Sequence, residues 1–282
     1  LVKKIGKKSD QPAGIVLESL TGGNAPNTVA DHAKAVLRTD AFDGILDTLA
    51  GFLKETGYTV EAKAAGKKLE ITARGVSSHG ARPAKGLNAI SVLMNFLSKL
   101  NMENNDIREF IDFYNGHIGF ELNGSSLGCG FSDEPSGDLI LNVGMVHVDQ
   151  DKAKLTINIR YPVTSDAEQV YDGMRPVLGK YDFEVVRKKH QAPIYLPKDD
   201  KMVMTLIDLY RKHTGDMASE PLVTGCTTYA RAVKNSIAFG AVFPGEPELG
   251  HQKNEYITVD NLMTLTRIFA DAIYELACEP VK

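Results

Sequence analysis

The chain contains little cysteine and no tryptophan: three of its 282 residues are cysteines. Cys129, Cys226 and Cys278 are far apart and odd in number, and no Cys-x-x-Cys occurs. Such spacing is typical of free thiols in a reducing compartment, and it excludes a cysteine-based metal motif. We therefore predict a cytoplasmic protein.

Long apolar runs and an excess of either charge are also missing. No apolar stretch reaches the length needed to span a membrane. The net charge is −4 and the pI is about 6.0, which gives no basic surface for a nucleic acid or an anionic membrane. These absences leave a globular protein, and the chain is long enough for one large or two medium domains.

Strand and helix patterns alternate over the first two thirds of the chain. Apolar alternation predicts strands over residues 13–19, 32–37, 58–63, 68–74, 139–148, 153–163 and 181–187. The third and fourth should form a hairpin around Ala65-Gly66, and Asp149-Gln150-Asp151 should form the turn between the fifth and sixth. Three- and four-residue spacing predicts helices over 42–53, 87–100, 107–120 and 166–174, the second of them an amphipathic helix with one apolar face. Asp40 is expected to cap the first helix and Gly57 to end it, and Thr164 or Ser165 to cap the last before Pro176 ends or kinks it. We expect an α+β domain of two ferredoxin-like ββαβ-type units at 1–191, with a leading linker at 1–12.

After two prolines at 193 and 197 the pattern changes. Helices are predicted at 202–213, 227–233 and 259–276, and a fully apolar strand at 236–243. Residues 192–282 are therefore expected to form an incomplete α/β segment whose strand needs neighbours from elsewhere. Thr258 or Asp260 should cap the last helix, whose predicted core-facing residues are Leu262, Leu265, Ile268, Phe269, Ile273 and Leu276.

One loop stands between a predicted strand and a predicted helix: Gly75-Val76-Ser77-Ser78-His79-Gly80-Ala81-Arg82-Pro83. An imidazole on such a loop can donate a hydrogen bond or exchange a proton near neutral pH. Taken alone, His79 is more simply explained as a surface histidine in a turn.

Other candidate residues follow further along. His251 is a metal-ligand type that Glu255 could orient, in a segment otherwise explained as a solvated acidic loop. Gly225 precedes a predicted helix start. The exposed backbone N–H groups there would suit a carboxylate, or the helix start is an ordinary capped one. Arg160 ends an alternating strand and is either a forked carboxylate anchor or a surface charge. Asn27 lies in the loop after the first strand.

Together these segments resemble the dinuclear-zinc peptidases of the M20 family, and within it the PepV-like or Xaa-His dipeptidases. The order and spacing that carry the resemblance cover essentially the whole chain. They are Gly75-Val76-Ser77-Ser78-His79-Gly80, Asn158-x-Arg160-Tyr161-Pro162, Thr228-Tyr229-Ala230-Arg231-Ala232, Phe243-Pro244-Gly245-Glu246 and His251-Gln252-x-Asn254-Glu255-Tyr256-Ile257.

The resemblance implies a role for each matching residue. His79 would be the lid-domain histidine that stabilises the oxyanion formed from the substrate carbonyl. Asn27 and Arg160 would hold the dipeptide substrate, Arg160 through its C-terminal carboxylate, and Gly225 would belong to the backbone nest that helps. His251 would be a zinc ligand and Glu255 its support.

Two departures from the family matter. A run of glycines is replaced by Gly225-Cys226-Thr227-Thr228. The family's N-terminal catalytic part carries His-x-Asp, a bridging Asp, a Glu-Glu pair and a further acidic ligand. We expect none of these in residues 1–190, and no Glu-Glu occurs anywhere. Since one histidine cannot hold two zinc ions, the chain is expected to be an inactive part of a dipeptidase: its lid plus the C-terminal segment of its catalytic domain.

Three interpretations remain open at this point. The first is the truncated metallopeptidase, whose exposed catalytic segment should be covered by self-association or by rearrangement. The second is a related amidohydrolase or deacylase acting on N-acyl amino acids. The third is a non-catalytic binding module that uses the lid as a scaffold.

Overall fold

The computed structural model describes residues 1–6, 14–186, 189–225, 228–240, 242–247, 249 and 254–277. The chain divides into two compact units, Leu1–Ala192 (unit 1) and Pro193–Lys282 (unit 2). The described helices and strands follow in chain order. They are β1 Val2–Lys4, β2 Val16–Gly22, β3 His32–Arg38, α1 Phe42–Thr56, β4 Thr59–Ala65, β5 Lys68–Arg74, α2 Ala89–Leu97, α3 Asn105–His117, β6 Ser132–Asp133, β7 Gly137–Asp138, β8 Ile140–Val148, β9 Lys152–Arg160, α4 Ala167–Leu178, α5 Lys201–Thr214 and α6 Val259–Ala277.

Unit 1 is built on one antiparallel sheet of seven strands, in the order β1-β9-β8-β2-β3-β5-β4. The expected α+β class is therefore confirmed for this unit. The strands that the sequence divides between two ββαβ-type units belong to a single sheet, because β2 pairs with β8. One face of β3 and β5 is buried in strict alternation, as in a sheet covered on one side.

The buried face packs against α2, which is almost wholly enclosed. Eight of its nine residues are buried, so the one-faced amphipathic helix expected there is wrong. The helix contacts β3, β5 and β8 on one side and α3 on another. It is shorter than predicted because Asn88 caps it, its side chain accepting a hydrogen bond from the backbone N–H of Ile90 at 2.9 Å. A helix buried on all sides is apolar all round.

Several predicted ends in unit 1 are confirmed and others are corrected. Gly57 ends α1 in the left-handed conformation, and β4 and β5 form the predicted hairpin around Gly66. Asp40 does not cap α1; Ala41 occupies that position without a side-chain cap. Asp166 caps α4 through a reciprocal pair of bonds with Gln169, and the helix continues past Pro176.

Both ends of unit 1 also depart from expectation. Residues 2–4 of the predicted linker form β1 on the edge of the sheet, antiparallel to β9. Lys3 is buried there because its ammonium donates to the carbonyl of Tyr181 and pairs with Glu109. Of the strand predicted at 181–187, the described residues 181–186 form only a single bridge, between Glu184 and Val2.

Unit 2 contains α5, a short 3-10 turn at Tyr229–Ala232 and α6. Asp200 and Gly215 cap α5 at its two ends, and the Thr258 hydroxyl accepts from the N–H of Asn261 at the start of α6. The apolar strand predicted at 236–243 is wrong for the described residues there, which are unpaired and partly exposed. A strand needs a partner for its backbone groups, and unit 2 has no other strand among its described residues.

Much of the apolar surface of unit 2 is exposed. Its small core holds Leu206, Leu209 and Ala272. On α6, Leu265 and Ile268 are buried as predicted, whereas the other four predicted core positions are exposed. These four are Leu262, Phe269, Ile273 and Leu276.

Candidate functional site

His79 lies on a loop that pairs with the segment carrying Asn27. Thr28 and His79 form an antiparallel bridge. The N–H of Gly80 donates to the carbonyl of Asn27 at 2.7 Å, and the N–H of Val29 donates to the carbonyl of Ser78 at 2.9 Å. The two candidate residues, about fifty positions apart in sequence, are therefore on directly bonded backbone segments of unit 1.

Glycine at position 80 permits this close approach. A Cβ atom there would lie 2.8 Å from the carbonyl oxygen of Asn27 and 2.9 Å from its carbonyl carbon. Contacts that short do not occur between a real Cβ and backbone, so a side chain at this position would push the two segments apart. Packing therefore explains why glycine follows His79, which the sequence pattern alone does not reveal.

The His79 ring has a defined hydrogen-bond arrangement. The backbone N–H of Ala81 donates to Nδ1 of His79 at 3.3 Å. Because Nδ1 then acts as the acceptor, the neutral ring carries its proton on Nε2. The exposed ring thus has the tautomer in which Nε2 is a hydrogen-bond donor.

Asn27 lies in the loop between β2 and β3, which is called the Asn27 loop below. A residue that was not predicted from the sequence bonds this loop to the sheet. Asn142, on β8, donates from Nδ2 to the carbonyls of Pro26 and Thr28 at 3.2 and 3.0 Å. Its side chain is 2% exposed. An asparagine in the otherwise apolar run of Leu141 and Val143 is the signal that could have identified it, because a buried amide in a strand needs partners.

Arg160 ends β9 on the same strand pair. Asn158 lies opposite Asn142 in the β8–β9 register, and Arg160 is two residues further along. Side chains at these positions share one face of the sheet. The Nε of Arg160 donates to Oδ1 of Asn158 at 3.2 Å.

The turn after Arg160 is anchored by Asp133. Its carboxylate accepts from the N–H and hydroxyl groups of both Ser136 and Thr164 at 2.6–2.9 Å. Desolvation alone would raise the pKa of Asp133, but the hydrogen bonds from Ser136 and Thr164 outweigh it and lower the pKa to about 2. The carboxylate is therefore ionised at neutral pH and acts as a structural acceptor. Thr164 serves this bond instead of capping α4.

The remaining candidates belong to unit 2. Gly225 and Glu255 are both exposed. His251 lies outside the described residues, as does Cys226. The structure thus brings Asn27 and His79 together directly and places Arg160 on the strand pair that also carries Asn142.

Within the described part of the chain, no three His, Cys, Asp or Glu side chains are grouped to hold a metal ion. The expectation that residues 1–190 lack His-x-Asp is wrong, because His147-Val148-Asp149 has this spacing. These residues lie at the β8–β9 turn, where Oδ1 of Asp149 accepts from the N–H groups of Asp151 and Lys152. Asp149 therefore has a turn-forming role, and its Oδ2 lies 3.2 Å from Nε2 of the half-exposed His147.

Cys129 is a free, buried thiol. Burial raises its pKa to about 11, helped by the nearby carboxylate of Glu121. A thiol that stays protonated is a poor nucleophile and a poor metal ligand. This excludes Cys129 as a reactive group at neutral pH.

None of the helices within the described ranges combines the length and the apolar character needed to cross a bilayer.

Comparison with known proteins gives a family and several relatives. Residues 66–184 match the family described as the peptidase dimerisation domain of M20. Two curated proteins named "Putative dipeptidase", from Staphylococcus epidermidis and Staphylococcus aureus, are 34% and 35% identical to this chain over 278 residues. The alignments cover 98% of this chain and 59% of each relative, so the chain spans less than two thirds of their length. The structure of aminoacylhistidine dipeptidase from Vibrio alginolyticus aligns with a TM-score of 0.35 and 15% identity, covering 76% of this chain and 48% of that one.

Proposed function

We propose that this chain is part of a zinc-dependent dipeptidase that hydrolyses the peptide bond of dipeptides, because residues 66–184 match the M20 peptidase dimerisation family. Unit 1 is its substrate-capping lid, and unit 2 is the C-terminal segment of its catalytic domain. The observation that carries the proposal is the 34–35% identity to the two staphylococcal proteins along nearly the whole chain. A cytoplasmic location is proposed with it, on the ground of the three widely spaced cysteines.

In this proposal, the residues of unit 1 bind and polarise the substrate. His79 donates a hydrogen bond from Nε2 to the carbonyl oxygen as negative charge develops on it. Its Nδ1 bond to the N–H of Ala81 supports that role by leaving the proton on Nε2. Arg160 holds the C-terminal carboxylate with a guanidinium that is already oriented by Asn158. Asn27 contributes an amide beside His79.

The zinc ions belong to the complete enzyme in this proposal, where they would supply Lewis-acid chemistry. The described residues hold no set of three ligands and so do not fit a zinc site by themselves. His251 is proposed as one ligand with Glu255 as its support, and Gly225 as part of the carboxylate nest.

We expect the 282-residue chain to be catalytically inert. With zinc added, it should hydrolyse dipeptides no faster than buffer does, because one proposed ligand cannot assemble a two-metal centre. The measurement is the release of free amino acids from a dipeptide panel, with N-acyl amino acids assayed in parallel. Hydrolysis of dipeptides at ordinary enzyme rates would disprove inertness, and a full-length enzyme that cleaves only the N-acyl compounds would disprove the dipeptidase assignment.

The exposed apolar side chains of α6 should make the chain self-associate. Ile273 and Tyr274 are each about two-thirds exposed, and such a patch is unfavourable in water. Sedimentation should show oligomers that Ile273→Glu converts toward monomer. The matched change Leu46→Glu, on an exposed position of α1, should leave the oligomers intact. If Ile273→Glu has no effect, association through residues 66–184 becomes the better explanation, as the family description suggests.

A further inference from the structure

Asn142 occupies an unusual place for a polar side chain. It lies within β8 between two buried apolar residues and is itself 2% exposed. A buried amide without partners is costly, so its hydrogen bonds decide whether it is tolerated. Both bonds that Nδ2 donates go to carbonyls of the Asn27 loop.

The two carbonyls lie on either side of Asn27. Pro26 precedes it and Thr28 follows it, so the amide of Asn142 fixes the backbone both before and after the candidate residue. Thr28 is also the residue that bridges to His79. Any shift of this short segment therefore moves Asn27 and the His79 loop together.

Packing alone does not fix the loop on all sides. A cavity of about 280 Å³ adjoins it, lined among others by Val29, Leu87 and Asn142. The loop also lies close to Gly144, where a Cβ atom would come within 2.4 Å of the Pro26 carbonyl oxygen. Asn142, which lines this cavity, holds the Pro26 and Thr28 carbonyls through its two amide bonds.

Asn142 also faces the residue that orients Arg160. Asn158 is its direct partner across β8 and β9, and Oδ1 of Asn158 accepts from Nε of Arg160. The β8–β9 pair thus carries both Asn142, which bonds to the Asn27 loop, and Asn158, which bonds to Arg160.

We infer that Asn142 is a positioning residue that holds the Asn27 segment, and through it the His79 loop, at a fixed place relative to Arg160. The part of the inference that concerns substrate binding rests on the proposed function. The part that concerns structure does not, because the coupling between Asn142 and the His79 loop can be measured without a ligand.

The test is amide hydrogen exchange on the 282-residue chain with Asn142→Leu. The reporters are the N–H groups of Gly80 and Val29, which donate to the carbonyls of Asn27 and Ser78. Their exchange should accelerate about tenfold, since losing the donors leaves two buried carbonyls unsatisfied and lets the loop open. Asn142→Ser, which is smaller and keeps a hydroxyl, should give a weaker effect in the same direction.

Asn115→Leu is the matched control. Its Nδ2 also donates to two backbone carbonyls, those of Met94 and Ile111 at 2.9 and 3.0 Å, but within the helical layer. It should leave the exchange of Gly80 and Val29 unchanged. The inference is overturned if Asn115→Leu accelerates these amides equally or if folded Asn142 variants do not accelerate them. It is also overturned if both Asn142 variants fail to fold while Asn115→Leu folds, since Asn142 would then be a residue of general stability.

A second arm uses alanyl-alanine as the probe, titrated into the same three variants and the unmodified chain and followed by NMR. Asn142→Leu should weaken binding about tenfold and Asn115→Leu should not. If the unmodified chain does not bind alanyl-alanine, dipeptide binding by this chain fails, and the exchange experiment still decides the role of Asn142.

Discussion

Replacing His79 with alanine in the proposed full-length enzyme should lower kcat by about 100- to 1,000-fold and change KM little. The lost Nε2 donor would stabilise negative charge on the carbonyl oxygen only in the transition state, and donors of this kind contribute that much to rate. Interactions confined to the transition state reduce kcat and kcat/KM together. Steady-state kinetics with a dipeptide substrate provides the measurement.

His147→Ala is the control for this change. His147 is a half-exposed imidazole at the β8–β9 turn, paired with Asp149. Its loss should alter kcat by less than about twofold, as expected for a surface substitution. A His79→Ala enzyme with normal kcat and raised KM would contradict the oxyanion role and assign His79 to ground-state binding instead.

Replacing Phe96 with alanine should lower the free energy of unfolding by about 3–5 kcal/mol. Phe96 lies on α2 with no exposed surface, and its ring centroid is 5.4 Å from that of Phe52 on α1. Removing the ring leaves a cavity in the buried core of unit 1, where close-packed neighbours cannot collapse freely. Urea unfolding followed by far-UV circular dichroism suits a chain without tryptophan.

Phe120→Ala is the comparison for Phe96. Phe120 is 41% exposed and stacks on Tyr58 with a centroid separation of 5.6 Å. It should cost about 1 kcal/mol, the order expected for a partly exposed aromatic pair. Equal costs for the two substitutions would mean that α2 is not the packing centre of unit 1.

Two strand pairs of unit 1, β4–β5 and β8–β9, were predictable because each is local. The hairpin around Gly66 and the turn at Asp149 join strands that follow one another, so apolar alternation and turn residues were enough to locate them. The pairing of β2 with β8 was not, because more than a hundred residues separate the two strands and nothing in either pattern specifies the partner. One continuous sheet therefore replaced two separate units.

The errors in unit 2 have a different origin. The apolar run at 236–243 has the composition of a buried strand, and α6 has apolar residues on most of its surface. Composition indicates which residues a segment favours burying, whereas the described residues of unit 2 include no other strand with which the run could pair. The local pattern predicted the type of element that a segment favours, but not the segment with which it pairs.

The sequence by itself determined the types of elements in unit 1, the loop position of His79 and the order of residues that resembles the M20 peptidases. Only the tertiary structure decided that Asn27 and His79 share a bonded pair of segments and that the buried amide of Asn142 links them to the strands bearing Arg160. The physical reason is that side-chain periodicity is a local property. Close approach at Gly80 and the satisfaction of the carbonyls around Asn27 depend instead on segments that come together only when the sheet forms.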